Sequence, residues 1–353
     1  MSLRFEHESF AQRVVFAAGE AASKVAQEVL RLGATRVMVI ASKTEQDLAH
    51  RVSSGIPVSL LYHDVAMHVP VEVAERARAA AAEHNVDLLL CAGGGSTTGL
   101  AKAIALTTGL PIIAVPTTYA GSEATNVWGL TEGAQKTTGV DPRVLPRAIV
   151  YDAALTVSLP VPMSVASGLN AVAHCVDSMW APRTDPIDQA IAAEGIRALR
   201  LGLPALVDDP AALPGREQTL YGAYLSAVAF ASAGSGLHHK ICHVLGGMFN
   251  LPHAQTHAII LPYVLALNGP SAPDAERRLA AAFDSDRAID GLLGLRIRLD
   301  APRALRDIGF TEADIPGAAA AILPAVPADN PTAVTTDDLE RLLRAAWDGA
   351  DPR

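Results

Sequence analysis

The chain has 353 residues and a formal net charge of −9; half its residues are hydrophobic and 18% are charged. That composition excludes a disordered chain, and the acidity, with a pI near 5.6, argues against nucleic acid as a partner. The length suits about two domains. No apolar run reaches the roughly 18 residues needed to cross a bilayer, and no basic start leads into an apolar stretch. Cys91, Cys175 and Cys242 lie far apart and form no CxxC pair, as in a reducing compartment. The expectation is a cytoplasmic protein with no membrane partner.

Residues 3–16 alternate enough to predict a short hairpin at a sheet edge. Gly19 to Leu32 carries helical spacing and stops at Gly33. A repeating pattern follows. Strands are predicted at 36–41, 57–62, 86–92, 111–116 and 147–151, from short β-branched or apolar runs. Helices are predicted between them at 44–52, 71–84 and 96–107. Strands that alternate with helices mean βαβ units and a mostly parallel sheet covered on both faces.

The character changes near Pro160 and Pro162. Beyond them the spacing predicts helices at 164–179, 187–201, 218–232, 237–248, 257–267 and 274–283. A last helix is predicted from Thr335, with Asp338 completing a capping box, to about Trp347. The fold class is therefore an α/β domain over 1–160 and an all-helical domain over 161–353.

Two regions carry the chemistry. The strand at 86–92 runs into Gly93, Gly94, Gly95 and Ser96 and then into a helix. Glycines at such a turn let a phosphate approach the backbone at a helix N-terminus. The next strand ends in Thr117 and Thr118, followed by Ser122, a second polar loop at the same sheet edge. The pattern is not the GxGxxG fingerprint.

The second region is Gly236 to His257, which holds five of the eleven histidines: His238, His239, His243, His253 and His257. An even spread would place about 0.7 there. His239 and His243 share a helix face at i, i+4, as do Asn170 and His174 in GLNAVAH. Gly246 and Gly247 are expected to turn the chain before His253.

GGGSTTGLAK, PTTYAGSEAT, GLNAVAH and GLHHKICHVLGG with NLPH together resemble the group III, iron-containing type, alcohol dehydrogenases. Within that group they look most like the maleylacetate reductases. The resemblance implies an N-terminal nucleotide-binding domain, a C-terminal helical domain, an active site between them, and a homodimer. It assigns Gly93 to Ser96 to the cofactor pyrophosphate, and Thr117, Thr118 and Ser122 to its nicotinamide half. Lys136 matches a lysine near the cofactor ribose.

Two departures from the family pattern matter. The metal-binding Asp and three His of metal-dependent relatives match Asn170, His174, His239 and His253, so the carboxylate is an amide. The resemblance then implies that no metal is required, with His174, His239 and His253 the ligands should one bind. Where NAD-preferring relatives carry an acid, this chain has Ser42 followed by Lys43, so NADH or NADPH is the expected cofactor.

The function implied is NAD(P)H-dependent reduction of maleylacetate, a small dianionic keto acid, to 3-oxoadipate. His243 is the first choice for proton donor. Asn170, His174, His239, Lys240 and His253 would line the substrate. The alternative is a metal-dependent alcohol or aldehyde dehydrogenase on the same scaffold.

Overall fold

The structure is a computed structural model that describes residues 4–133 and 135–352, the side chains of Gln135 and Lys136 excepted. The chain divides into two compact units. One is Phe10–Leu159; the other is Pro160–Arg353 together with the N-terminal residues up to Ser9.

The first unit is a six-stranded sheet with helices on both faces. In chain order it has β1 (Arg13–Phe16), α1 (Ala21–Leu32), β2 (Val37–Ile40), α2 (Gln46–Val52), β3 (Val58–Tyr62) and α3 (Val71–Glu83). Then come β4 (Leu88–Gly93), α4 (Gly95–Thr108), β5 (Ile112–Pro116), a hairpin of β6 (Val127–Glu132) and β7 (Gln135–Val140), and β8 (Ala148–Tyr151). The sheet order is β1-β8-β5-β4-β2-β3, and every pairing in it is parallel.

Alternation along the strands explains why two helical layers form. Met38, Ile40, Leu89, Cys91, Ile112 and Ala114 pack with α3 and α4 in one apolar cluster. Their neighbours Val37, Val39, Leu88, Leu90, Ile113 and Val115 pack with α1 and α2 in another. A strand covered on both faces needs apolar residues at every position, which is why the central strands read as unbroken runs.

Two readings of the first unit are corrected. Among the described residues 4–16 there is no hairpin: Arg13–Phe16 is the strand there, and it pairs in parallel with β8 at the sheet edge. A real hairpin, β6–β7, stands where none was predicted.

The second unit is helical: α5 (Val161–Ser178), α6 (Pro186–Asp208), α7 (Leu213–Ala233), α8 (Leu237–Phe249), α9 (His253–Asn268), α10 (Pro273–Phe283), α11 (Ala288–Arg298), α12 (Ile315–Ile322) and α13 (Thr336–Asp348). Its core packs Leu237, Ile241 and Leu245 of α8 and Ile260 and Val264 of α9 against α12 and α13. The predicted capping box forms at Thr335 and Asp338. No helix of the described residues is long and apolar enough to cross a membrane.

Candidate active site

In the helical unit, α5, α8 and α9 bring six imidazoles together. Asn170 and His174 lie one turn apart on α5, and both are buried. His238, His239 and His243 come from α8, and His253 and His257 from the first turns of α9. His174 stacks on His239 with ring centroids 4.9 Å apart and planes 17° apart. His239 and His243 are 6.1 Å apart, His243 and His253 6.4 Å, and His253 and His257 4.3 Å. Behind them His238 Nε2 and His257 Nδ1 share a hydrogen bond of 2.9 Å.

The turn before His253 is not at Gly246 and Gly247. Helix α8 runs through both, and the chain turns at Asn250, in the left-handed conformation at φ 52°. Pro252 then caps α9, which starts at His253, not at His257 as the spacing predicted. Lys240 is half-buried and follows His239 by one position, about 100° round the helix.

Asp177, which no motif in the sequence marks, reaches into the cluster from α5. Its Oδ2 accepts from the backbone N–H of Gly236 at 3.0 Å and of His239 at 3.2 Å, and pairs with His239 Nδ1 at 2.6 Å. A carboxylate so placed caps α8 and fixes the orientation of His239. Gly236 allows the approach: a Cβ there would sit 2.6 Å from Asp177 Oδ1. Burial pushes Asp177 up, to about 7, against the backbone N–H groups that favour its charge. Burial, reinforced by neighbouring imidazoles, pushes His174 down to about 4 and His238 to about 3, and holds His239 and His257 well below the usual range. Asn170 Oδ1 and His239 Nε2 are buried without a hydrogen-bond partner.

The four positions expected of a metal site, Asn170, His174, His239 and His253, include no anionic donor. All four donors are neutral. The described His, Cys, Asp and Glu groups whose donor atoms all lie within 4.8 Å of one another are His238–Cys242–His257 and His7–Asp185–Asp188, neither of which is that set. Asp177 would orient His239 towards a metal as well as towards a substrate; what is missing is an anionic donor.

In the α/β unit, Gly93 ends β4 and Gly94 caps α4, with Gly95 and Ser96 in its first turn. Gly93 has φ +153°, and a Cβ on it would meet Thr97 Oγ1 at 2.6 Å and Glu45 Oε2 at 2.7 Å. The turn sits at the carboxyl edge of a parallel sheet, where the N-terminus of α4 presents its first backbone N–H groups. Thr117 and Thr118 follow β5, and Thr117 N–H donates to the Gly93 carbonyl at 3.2 Å.

Lys102 of α4 holds the loop beyond. Its Nζ donates to the carbonyls of Ser122 (2.6 Å), Thr125 (2.7 Å) and Val127 (2.8 Å) and to Thr125 Oγ1 (3.0 Å). Lys136 lies on β7; its side chain is outside the described residues.

Ser42 is not alone at the end of β2. Its hydroxyl donates to Glu45 Oε2 at 2.7 Å, and Glu45 Oε1 accepts from Thr117 Oγ1 at 3.0 Å. A carboxylate therefore stands beside the glycine turn, supplied three residues later than the reading of Ser42 and Lys43 looked for it.

A parallel sheet with a glycine turn at its carboxyl edge, followed by a helical unit carrying a histidine cluster, defines a nucleotide-dependent oxidoreductase of the iron-containing alcohol dehydrogenase type. Residues 11–153 match the family described as iron-containing alcohol dehydrogenase, and residues 164–347 match the C-terminal part of the Fe-containing alcohol dehydrogenase family. The chain belongs to that family, and its curated full-length relatives include maleylacetate reductases. Maleylacetate reductase 2 of Cupriavidus pinatubonensis is 45% identical over 96% of both chains. The crystal structure of a maleylacetate reductase from Agrobacterium tumefaciens superposes with TM-score 0.94 at 40% identity, over 99% of this chain and 100% of that one. That of an iron-containing alcohol dehydrogenase from Corynebacterium glutamicum superposes with TM-score 0.98 at 60% identity, over 100% and 99%.

Proposed function

We propose that the chain reduces the conjugated double bond of maleylacetate, giving 3-oxoadipate, with NADH or NADPH as reductant. The observation that carries this reading is the match, over nearly the whole chain, to relatives named for that reaction. Bound at the glycine turn, the nicotinamide cofactor supplies a hydride to the alkene carbon β to the ketone, and one proton completes the product.

The protein must hold a dianion, stabilise an enolate oxygen and deliver that proton. Asn170 offers an amide, and the imidazoles of His174 and His253 offer N–H groups to carboxylate or carbonyl oxygen. His239 already commits Nδ1 to Asp177, so Nε2 donates only when the ring carries a second proton. Asp177 is placed to stabilise that imidazolium once an anionic substrate arrives. His243 delivers the proton to the enolate carbon or holds its oxygen, and Lys240 adds positive charge nearby.

No metal enters this reaction, a reading supported by Asn170 in the carboxylate position. The enzyme works as a cytoplasmic homodimer, without nucleic-acid or membrane partners; three buried free cysteines and the acidic charge suit that setting.

The deciding experiment follows NADH and NADPH oxidation with maleylacetate, and separately with simple aldehydes, before and after exhaustive chelation. The expected result is turnover of maleylacetate that survives chelation. Activity on aldehydes alone, restored only by iron or zinc, would overturn the reading in favour of a metal-dependent alcohol dehydrogenase.

A further inference from the structure

A second cluster of ligating side chains lies where the N-terminal segment meets the start of α6. His7 reaches across 178 positions to Asp185, with Nδ1 to Oδ2 at 2.8 Å, and lies 3.8 Å from Asp188 Oδ1. One donor atom from each of the three residues lies within 4.8 Å of the others. The side chains of Asp185 and Asp188 are 3% and 0% exposed, and that of His7 is 14% exposed.

The hydrogen bonds around the group leave lone pairs pointing inward. Asp185 caps α6 with Oδ1, which accepts from the N–H of Ile187 at 2.7 Å and of Asp188 at 3.0 Å, so Oδ2 is the oxygen turned to His7. His7 Nε2 lies 3.1 Å from Ser9 Oγ; in the tautomer that donates the Nε2 N–H there, Nδ1 gives up its hydrogen bond to Asp185 and turns a lone pair to a cation. Both oxygens of Asp188 are buried with no hydrogen-bond partner of normal geometry. The Ser232 hydroxyl is near enough to favour the charged carboxylate without making such a bond. Burial nevertheless raises Asp188 to about 6, so a buried carboxylate facing another electron-rich group is costly as it stands.

We infer that His7, Asp185 and Asp188 form a binding site for one divalent transition-metal cation, zinc or manganese, that fastens the N-terminal segment to α6. A cation about 2.0–2.2 Å from each donor sets neighbouring donors about 2.9–3.5 Å apart, and the spacings here, 2.8 and 3.8 Å, bracket that range. Two carboxylates and a neutral imidazole cancel a double positive charge, which the four neutral donors around His239 do not. One nitrogen with two carboxylate oxygens suits zinc and manganese, and Ser9 on the far ring nitrogen is the outer-sphere partner that orients a ligating histidine. The role is structural: no residue of the proposed reaction belongs to the group.

The test uses the full chain, stripped with a chelator, then incubated with zinc chloride or manganese chloride at about pH 7.5, desalted, and assayed for bound metal and Tm. The expected result is about one equivalent of one of the two ions, with Tm raised by about 3 °C or more. Asp188→Asn and His7→Gln should each lose that equivalent and the rise in Tm, while His239→Gln keeps both. Wild-type protein that binds less than about a tenth of an equivalent would overturn the site and leave a proton in the cation's place. So would Asp188→Asn or His7→Gln variants that bind as wild type does. His7 lies in an irregular segment, so His7→Gln decides the matter if Asp188→Asn fails to fold. An equivalent lost only in His239→Gln would place the metal in the imidazole cluster and overturn the site as well.

Discussion

At the scale of single residues, Glu45 changes what the sequence said about the cofactor. Ser42 and Lys43 alone impose no repulsion on a 2′-phosphate, whereas the Glu45 carboxylate, hydrogen-bonded to Ser42, would repel one seated beside Ser42. Removing one such repulsive contact is worth about 1–3 kcal/mol, roughly tenfold to hundredfold in discrimination. Glu45→Gln should therefore raise affinity for NADPH relative to NADH by about that factor, read as Kd from binding titrations of both cofactors. An unchanged ratio would show that Glu45 serves only to brace Ser42 and Thr117. His243 gives the second residue-scale test. A general acid contributes roughly 10²- to 10⁴-fold, so His243→Ala should cut kcat by at least that lower factor while cofactor affinity holds. Retention of more than about a tenth of the activity would remove His243 from the chemistry.

Among the elements, α4 and the loop it carries behave as one part. Lys102 is buried and binds four oxygens of the segment from Ser122 to Val127. Each buried acceptor stripped of its donor costs about 1–3 kcal/mol. Lys102→Met should thus lower Tm markedly and weaken dinucleotide binding, because the loop bearing Ser122 loses its anchor. A variant that loses stability but keeps wild-type cofactor Kd would confine Lys102 to the fold.

The Lys102 anchor leaves no mark in the sequence, and what else the sequence shows or hides has physical reasons. The central strands could be read because burial on both faces forces unbroken apolar runs, as in LLLCAG of β4. The hairpin β6–β7 could not, since its first strand is mostly half-buried and its second carries no apolar alternation. The start of α9 was misplaced because a proline reads as a break, whereas Pro252 caps the helix and puts His253 in its first turn. The histidine cluster was legible from density and i, i+4 spacing. Asp177 and Glu45 were not, since their partners lie 62 and 72 positions away and only folding brings them together.

For the whole molecule, the buried imidazoles set a pH dependence with a definite sign. His174, His238, His239 and His257 are held below their ordinary value, mainly by burial, so the folded chain keeps them neutral where the unfolded chain protonates them. Between about pH 6.5 and pH 4 the unfolded state binds more protons at these four sites, and stability falls as pH falls. Asp177, Asp188 and Glu123 act the other way. Burial raises all three, Asp177 to about 7 and Asp188 to about 6, so the folded chain takes up protons there first and gains stability on acidification. Four imidazoles against three carboxylates leave a net loss. Tm should therefore drop steadily from about pH 7 to pH 5, in thermal scans at constant ionic strength. His257→Asn removes one of the four without adding charge and should flatten that slope. A Tm that stays level or rises over the same range would mean that these histidines are already charged in the folded protein. The cluster would then present cations, not neutral donors, to the substrate before it binds, and the role given to Asp177 in stabilising a newly formed imidazolium would fall with it.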